Sequence, residues 1–269
     1  MKKLESGTNF ARYALGDLTV IALRDGYVDM PASRLRRPGN IPFGKDLPEE
    51  IHLVNGKLRL SVNAFLIVDQ GEHILIDTGA ANSWEPTMGL LLQGLAEAGF
   101  NRNDIETVAL THTHEDHSHG LVAADGDDAF PNLKRLLVPA PEVPMFDRIE
   151  RLSRFKGLRL PVGNGFKVSA GVTAIHAHGH EIGHTAYEVS SAGETLLIWG
   201  DVIHVQSVQF ARPELTWEYD ADQNTARSTR QQMLVRAAEP NVFVAGAHLD
   251  FPGVGKVSTN SDSFVYEGL

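Results

Sequence analysis

The sequence predicts an α+β fold in which two mixed β-sheets pack face to face with helices outside. Three observations lead there. Apolar segments of strand length gather in two blocks, helical spacing is confined to stretches between and after them, and each block runs into a loop dense in histidine or aspartate. A chain ordered as strands, helix, loop, strands, loop, helix, strand, loop can bury one face of each sheet against the other and cover the outer faces with helices. With 269 residues, 42% of them hydrophobic, there is enough apolar material for a sizeable core. No short-period repeat, low-complexity stretch or long linker interrupts it, so residues 1–269 are expected to form a single domain.

Residues 18–23 are apolar and β-branched and end at Asp25-Gly26, a turn signal. Residues 61–68 and 73–76 follow as strands across Asp69-Gln70-Gly71, so the chain opens as an antiparallel meander. In 86–98, Leu91, Leu92 and Leu95 have helical spacing, with Pro86 suited to a first turn and Gly99 to the position past the C-terminus. Residues 107–110 form a short strand running into Thr111-His112-Thr113-His114-Glu115-Asp116-His117. A strand is expected at 135–138 and a short charged helix at 145–155 after Pro144, whereas 151–167 show no legible period. The second block comprises 172–175 and a hairpin of 186–190 with 195–199, and it ends on Asp201. Residues 225–238 put Ala226, Met233, Leu234 and Ala237 on one helical face, with Asp222 or Asn224 placed to cap it. Residues 242–245 are a last strand before Gly246-Ala247-His248, and a polar tail is expected after Gly255.

Composition narrows the chemistry. A formal net charge of -10 opposes nucleic-acid binding through phosphate contacts, since no lysine or arginine excess exists to release counterions. Small neutral or cationic ligands suit such a chain better. No stretch reaches the roughly 20 apolar residues of a membrane span. The opening MKKLESGTNF has no apolar run behind its lysines, which points to the cytoplasm. Without cysteine there is no disulfide, thiolate ligand or cysteine nucleophile, leaving nitrogen and oxygen donors for any metal. Of twelve histidines, ten lie between His112 and His248.

His112, His114, Asp116 and His117 place three imidazoles and a carboxylate within six residues, too close for one tetrahedral ion to collect unless the backbone contorts. Two neighbouring ions resolve the geometry. In an extended chain His112 and His114 point the same way, while Asp116 and His117 diverge around the loop. A histidine-rich surface loop is the bland alternative, and the position directly after a strand argues against it. Ala177-His178-Gly179-His180-Glu181-Ile182-Gly183-His184 offers further ligands, its glycines letting the backbone turn closely around an ion. Trp199-Gly200-Asp201 ends an apolar strand on a carboxylate able to bridge two ions, although a lone aspartate there is more often a turn or cap.

HxHxDH, then a glycine-flanked histidine, an aspartate closing a strand and a last histidine together resemble the metallo-β-lactamase superfamily over nearly the whole chain. Leu75-Ile76-Asp77-Thr78-Gly79 is similar to the family's early strand and aspartate. Within it, Ser61-Val62-Asn63-Ala64-Phe65, Pro86-Thr87-Met88-Gly89, Val208-Gln209-Phe210 and His248-Leu249-Asp250-Phe251-Pro252-Gly253 are similar to the branch containing methyl parathion hydrolase and related lactonases. The resemblance implies an αββα sandwich and two divalent ions, with His112, His114 and His180 on the first, Asp116, His117 and His248 on the second, and Asp201 bridging. True β-lactamases typically carry cysteine or serine at that bridging position, which disfavours antibiotic hydrolysis. Zinc suits the donors, as do manganese, iron and cobalt. Two departures stand out, Glu181-Ile182 for the common threonine-proline and Ser118-His119 for a hydrophobic-glycine pair, and neither removes a ligand.

Two such ions, about 3.5–4 Å apart, share a hydroxide at neutral pH. The expected function is therefore dinuclear metal-dependent hydrolysis, the bridging hydroxide opening a small lactone or cleaving a carboxylic ester, with phosphotriesters as a further substrate class. Asp116, besides ligating, can move a proton to the leaving group. His204 sits where lactonases of the superfamily often carry a tyrosine, and can donate to a developing oxyanion or leaving oxygen. His184 and Asp77 are expected to orient ligands. Trp84, Phe146 and Phe155 are candidates for the apolar wall that meets a small-molecule substrate. His119, His176 and His178 read as structural or surface residues. The runner-up is a mononuclear-iron sulfur dioxygenase, an oxidoreductase that would leave part of the ligand set unused. The resemblance further implies a homodimer.

Overall fold

The computed structural model describes residues 1–261 and 263–269. Strands β1 (Lys2–Ser6), β2 (Phe10–Leu15) and β3 (Leu18–Pro31) form the opening meander, followed by a small arm with β4 (Leu35–Arg37) and β5 (Ile41–Pro42). Next come β6 (Lys57–Asp69), β7 (Glu72–Ile76), α1 (Leu91–Glu97), β8 (Thr107–Ala109), α2 (Glu115–Ser118), β9 (Arg135–Pro139), α3 (Val143–Phe146) and β10 (Arg159–Val162). The remainder comprises β11 (Val172–His176), β12 (Thr185–Ser191), β13 (Glu194–Ile198), α4 (Gln206–Gln209), β14 (Thr216–Trp217), α5 (Gln223–Ala237), β15 (Val242–Ala245), β16 (Val254–Asn260) and β17 (Ser263–Gly268).

One sheet has the order β1-β2-β3-β6-β7-β8-β9-β10 and the other β11-β12-β13-β15-β16-β17. Both are mixed: β7, β8, β9 and β10 run parallel, as do β13 and β15. Strand alternation sorts the side chains into layers. On β7, Ile74 and Ile76 face the other sheet, while Leu75 faces outward to Leu91 and Leu95 of α1. On β13, Leu196 and Ile198 face inward and Leu197 meets Met233, Leu234 and Ala237 of α5. Strands covered on both faces must be apolar throughout, which is why they read as continuous hydrophobic runs. The predicted αββα sandwich is the observed one. Helix α5 is capped by Asp222, whose carboxylate accepts the N–H groups of Asn224 and Thr225, a cap worth about 1 kcal/mol.

Several boundaries differ from the sequence expectation. Asp25-Gly26 is not a turn but a register shift inside β3, which continues to Pro31. The helix expected from residue 86 starts at Leu91, because Asp25 holds the preceding segment as a loop by accepting from the N–H groups of Ala80, Gly89 and Leu91. The helix expected at 145–155 is split: α3 ends at Phe146, Ile149 is extended, and a 3-10 turn covers Glu150–Phe155. The expected polar tail is the hairpin of β16 and β17. It and β1 escape detection because most of their positions are exposed, so apolar alternation is faint or absent.

Candidate metal centre

Five segments converge at one edge of the sandwich, each leaving the carboxyl end of a strand: Asp77 after β7, residues 111–118 after β8, 177–184 after β11, 199–204 after β13 and 246–248 after β15. Hydrogen bonds clamp the two sheets together here. Thr185 N–H donates to the Thr111 carbonyl at 2.9 Å, Tyr187 Oη–H to the Leu110 carbonyl at 2.8 Å and Asn63 N–H to the Ala247 carbonyl at 3.0 Å.

Asp201 is the hub. Its Oδ1 lies 3.1 Å from His117 Nε2, and its Oδ2 lies 3.2 Å from Nε2 of His180, His204 and His248 and 3.9 Å from that of His112. Gly200 sets this approach: its φ is +54°, and a Cβ would stand 2.7 Å from His184 Nε2. His184 Nδ1–H donates to the Ala177 carbonyl at 2.7 Å, so its Nε2 is left to accept the Asp201 N–H at 3.0 Å. Burial drives His184 down to about 3, which keeps it in that neutral tautomer.

The other imidazoles are oriented from behind. His117 Nδ1 donates to Asp77 Oδ2 at 2.8 Å, and Asp77 is pinned by the backbone N–H and hydroxyl of Thr111. His112 Nδ1 pairs with Thr111 Oγ1 at 3.0 Å, and His248 Nδ1 donates to the Ser61 carbonyl at 2.8 Å. His114 is reversed: Nε2 meets Glu181 Oε1 at 2.9 Å and Nδ1 faces His180 Nε2 at 3.2 Å. Sequence reasoning missed Asp220, whose Oδ1 lies 3.0 Å from His180 Nδ1. It lies 40 residues from His180, and no spacing signals the contact. Glu142, which bonds two of the loops, was missed for the same reason.

Among the described residues three groups could hold a metal ion, with the donor atoms of each group within 4.8 Å of one another: His112, His114, His180 and Asp201; Asp116, His117 and His248; and Asp201, His204 and His248. The donor set fits a divalent cation. Nε2 of His112 and His117 and Oδ1 of Asp201 are buried without a hydrogen-bond partner among the described residues, the 3.1 Å contact between His117 and Asp201 being misdirected for one. Buried polar atoms seldom stay unpaired. Burial pushes His112 well below the ordinary histidine range. Burial also opposes protonation of His117, His180 and His248, yet there the carboxylates win, with Asp201 foremost, and His180 rises to about 10. Burial works against Asp201's charge too, but the surrounding imidazoles hold its carboxyl well below the carboxylate range. The cluster thus calls for positive charge in a buried place, and imidazole nitrogen and carboxylate oxygen are suitable donors.

Val28, Met30, Leu60 and Trp217 line a small inner cavity over the hub, together with Trp84, His114, Asp116, His204, Tyr219 and His248. Trp84, His114, Asp116 and Tyr219 also border an outer cleft of about 640 Å³, whose wall includes Met145, Arg148 and Ile149. Phe146 and Phe155 do not line it. With 0% and 2% exposure they pack in the core outside the first sheet, because the split helix turns Met145 and Ile149 to the cleft in their place. His204 is buried and stacks on Trp217 at 4.9 Å. The His176 and His178 rings lie 4.1 Å apart and tilted by 32°. His119 borders the cleft.

The model of the metallo-beta-lactamase superfamily matches residues 58–248. No curated protein matches the chain. Among solved structures the chain is similar to AbOPH, a hydrolase in the beta lactamase superfamily (27% identity, 98% of this chain and 99% of that one covered, TM-score 0.85). It also shares its fold with AidC, a dizinc quorum-quenching lactonase in complex with a homoserine product (22% identity, 97% of each chain, TM-score 0.84). A probable metal-dependent hydrolase from Staphylococcus aureus has the same fold (20% identity, 96% and 99%, TM-score 0.77).

Proposed function

Because the chain belongs to the metallo-beta-lactamase superfamily, we propose that it is a dinuclear metal-dependent hydrolase that opens a small lactone or cleaves a carboxylic ester, with phosphotriesters as a further substrate class. The observation that carries this reading is the buried Asp201 carboxylate, whose Oδ2 lies 3.2 Å from Nε2 of both His180 and His248 and whose Oδ1 lies 3.1 Å from Nε2 of His117, so that it touches both the His112, His114 and His180 group and the Asp116, His117 and His248 group. Divalent ions held there, zinc among them, would polarise a carbonyl or phosphoryl oxygen and lower the pKa of water to about 7.

The chain's own residues supply the rest. Asp77, Asp220, Glu181 and the Ser61 carbonyl each fix one ligand ring, so the donors need little reorganisation. Asp116 borders both the inner cavity and the outer cleft, where its carboxyl can pass a proton to a leaving oxygen. Among the described residues His204 has no hydrogen-bond partner on either ring nitrogen, and burial lowers it to about 4. As a neutral imidazole it would donate an N–H to developing oxyanion charge. Trp84 and Tyr219 at the mouth favour a substrate with an apolar body. Two segments similar to the methyl parathion hydrolase and lactonase branch meet here: Asn63 donates to the Leu249 carbonyl at 2.7 Å and Phe251 N–H to Ser61 Oγ at 3.3 Å. That contact supports a place in the branch.

The test is a hydrolysis panel of acyl-homoserine lactones, aromatic lactones, aryl esters and aryl phosphotriesters on metal-loaded protein. Asp201→Asn should lose more activity than the roughly 10–100-fold typical of removing a ligand's outer partner. Unchanged activities in that variant would falsify the bridging role. One redox-active iron per chain with oxygen consumption would replace the hydrolase reading by an oxidoreductase.

A further inference from the structure

We infer that Glu142 is a positioning residue that braces the loops carrying His112, His114 and His180 and so sets the affinity of that half of the centre. The inference rests on reading those histidines as metal ligands. Glu142 ends the 3-10 turn Ala140–Glu142 between β9 and α3, and its exposure is 0%. Oε2 accepts the Thr113 hydroxyl at 2.7 Å, and Oε1 accepts the Gly183 N–H at 2.9 Å. Thr113 stands between His112 and His114. Gly183 follows His180 by three residues and precedes His184, the ring that holds the Asp201 N–H. One carboxyl group thus spans the two loops that must meet for His112, His114 and His180 to face one another.

Gly183 supplies an independent observation. Its φ is not in the left-handed region, so no turn demands glycine there. A Cβ would instead stand 2.6 Å from Glu142 Cγ and 3.0 Å from Oε1. The missing side chain is explained by the closeness of the brace. Among the described residues no lysine, arginine or histidine forms an ion pair with Glu142. A buried carboxyl held only by two loop donors is costly to place, and hydrogen bonds to both oxygens are what offset that cost. Just beyond Glu142, Met145, Arg148 and Ile149 form the cleft wall, so the brace also ties that wall to the ligand loops.

The experiment titrates metal-free protein with Zn²⁺ against a competing chelator and follows Co²⁺ absorption, for wild type, Glu142→Ala, Glu142→Gln, Thr113→Val and Gly183→Ala. Glu142→Ala should weaken one of two ions by about 10–100-fold, as loss of an outer partner typically does, and leave the other nearly unchanged. Glu142→Gln should recover most of that loss, because its Oε1 can accept from Gly183 while its amide donates to Thr113 Oγ1. Gly183→Ala should reproduce the loss with Glu142 intact. A merely structural role would lower the melting temperature of the metal-free protein and leave both affinities alone; that result overturns the inference, as does a glutamine variant no better than alanine. Wild type that binds no ion would overturn the hydrolase reading itself. Should Glu142→Ala not fold, Thr113→Val and Gly183→Ala carry the same comparison.

Discussion

Each of five imidazoles at the centre commits one ring nitrogen to the protein and turns the other toward its neighbours. His112, His117, His180 and His248 commit Nδ1, whereas His114 commits Nε2 to Glu181 and offers Nδ1. The departure at Glu181 therefore has a use, since it selects the tautomer of His114. Asp220 does the same for His180, and its second oxygen accepts the Trp217 N–H at 2.9 Å. An asparagine there cannot accept on both atoms, so Asp220→Asn is expected to weaken metal binding by about 10–100-fold. The fold should survive, because Arg230 keeps the carbonyls of Val202, Pro213 and Leu215. Chelator competition on the folded variant checks this, and an affinity equal to wild type would discard the role.

The elements that matter most are irregular ones. The loop that carries Trp84 to the cleft hangs on Asp25, at the register shift of β3, through the N–H groups of Ala80, Gly89 and Leu91. Burial raises this carboxyl from 3.8 to about 6, despite those three hydrogen bonds. A carboxyl whose folded pKa lies above its unfolded value is neutral in both states below pH 4. As pH rises toward 6 the folded state must give up a proton it holds more tightly, so its stabilising contribution is lost across that window and stays lost above it. Two pKa units correspond to about 3 kcal/mol. From well below pH 4 to well above pH 6, wild type should therefore lose about 3 kcal/mol of unfolding free energy relative to Asp25→Asn, roughly 2 kcal/mol of it between pH 4 and 6, measured by denaturant titration of the metal-free proteins. Parallel profiles for the two would show that Asp25 does not titrate there. The Asp25-Gly26 pair was legible as a break in the strand, but its nature as a register shift was not, because the partners on residues 80–91 are tertiary.

At the scale of the whole molecule, the loop after β8 in one sheet supplies His112, His114, Asp116 and His117, and the second sheet supplies His180, Asp201 and His248. Ions held between them would bind only the folded chain, adding about 2.7 kcal/mol for each site at a hundredfold excess over Kd. For a chain of this size that is about 5–10 °C in melting temperature. Chelation of both ions should lower the transition by about twice that, roughly 10–20 °C, and added Zn²⁺ should restore it; an unmoved transition in protein proven metal-free would mean that no ion joins the sheets. The sequence by itself determined the two β blocks, the sandwich and the clustering of histidines, because strand alternation and ligand spacing are local. Only the tertiary structure decided which ring nitrogen each histidine presents, that Phe146 and Phe155 belong to the core, and that Asp220 and Glu142 serve the centre. Most of those assignments depend on contacts across 29 to 187 residues or on which face of a short turn is covered, and neither leaves a periodic trace in the chain.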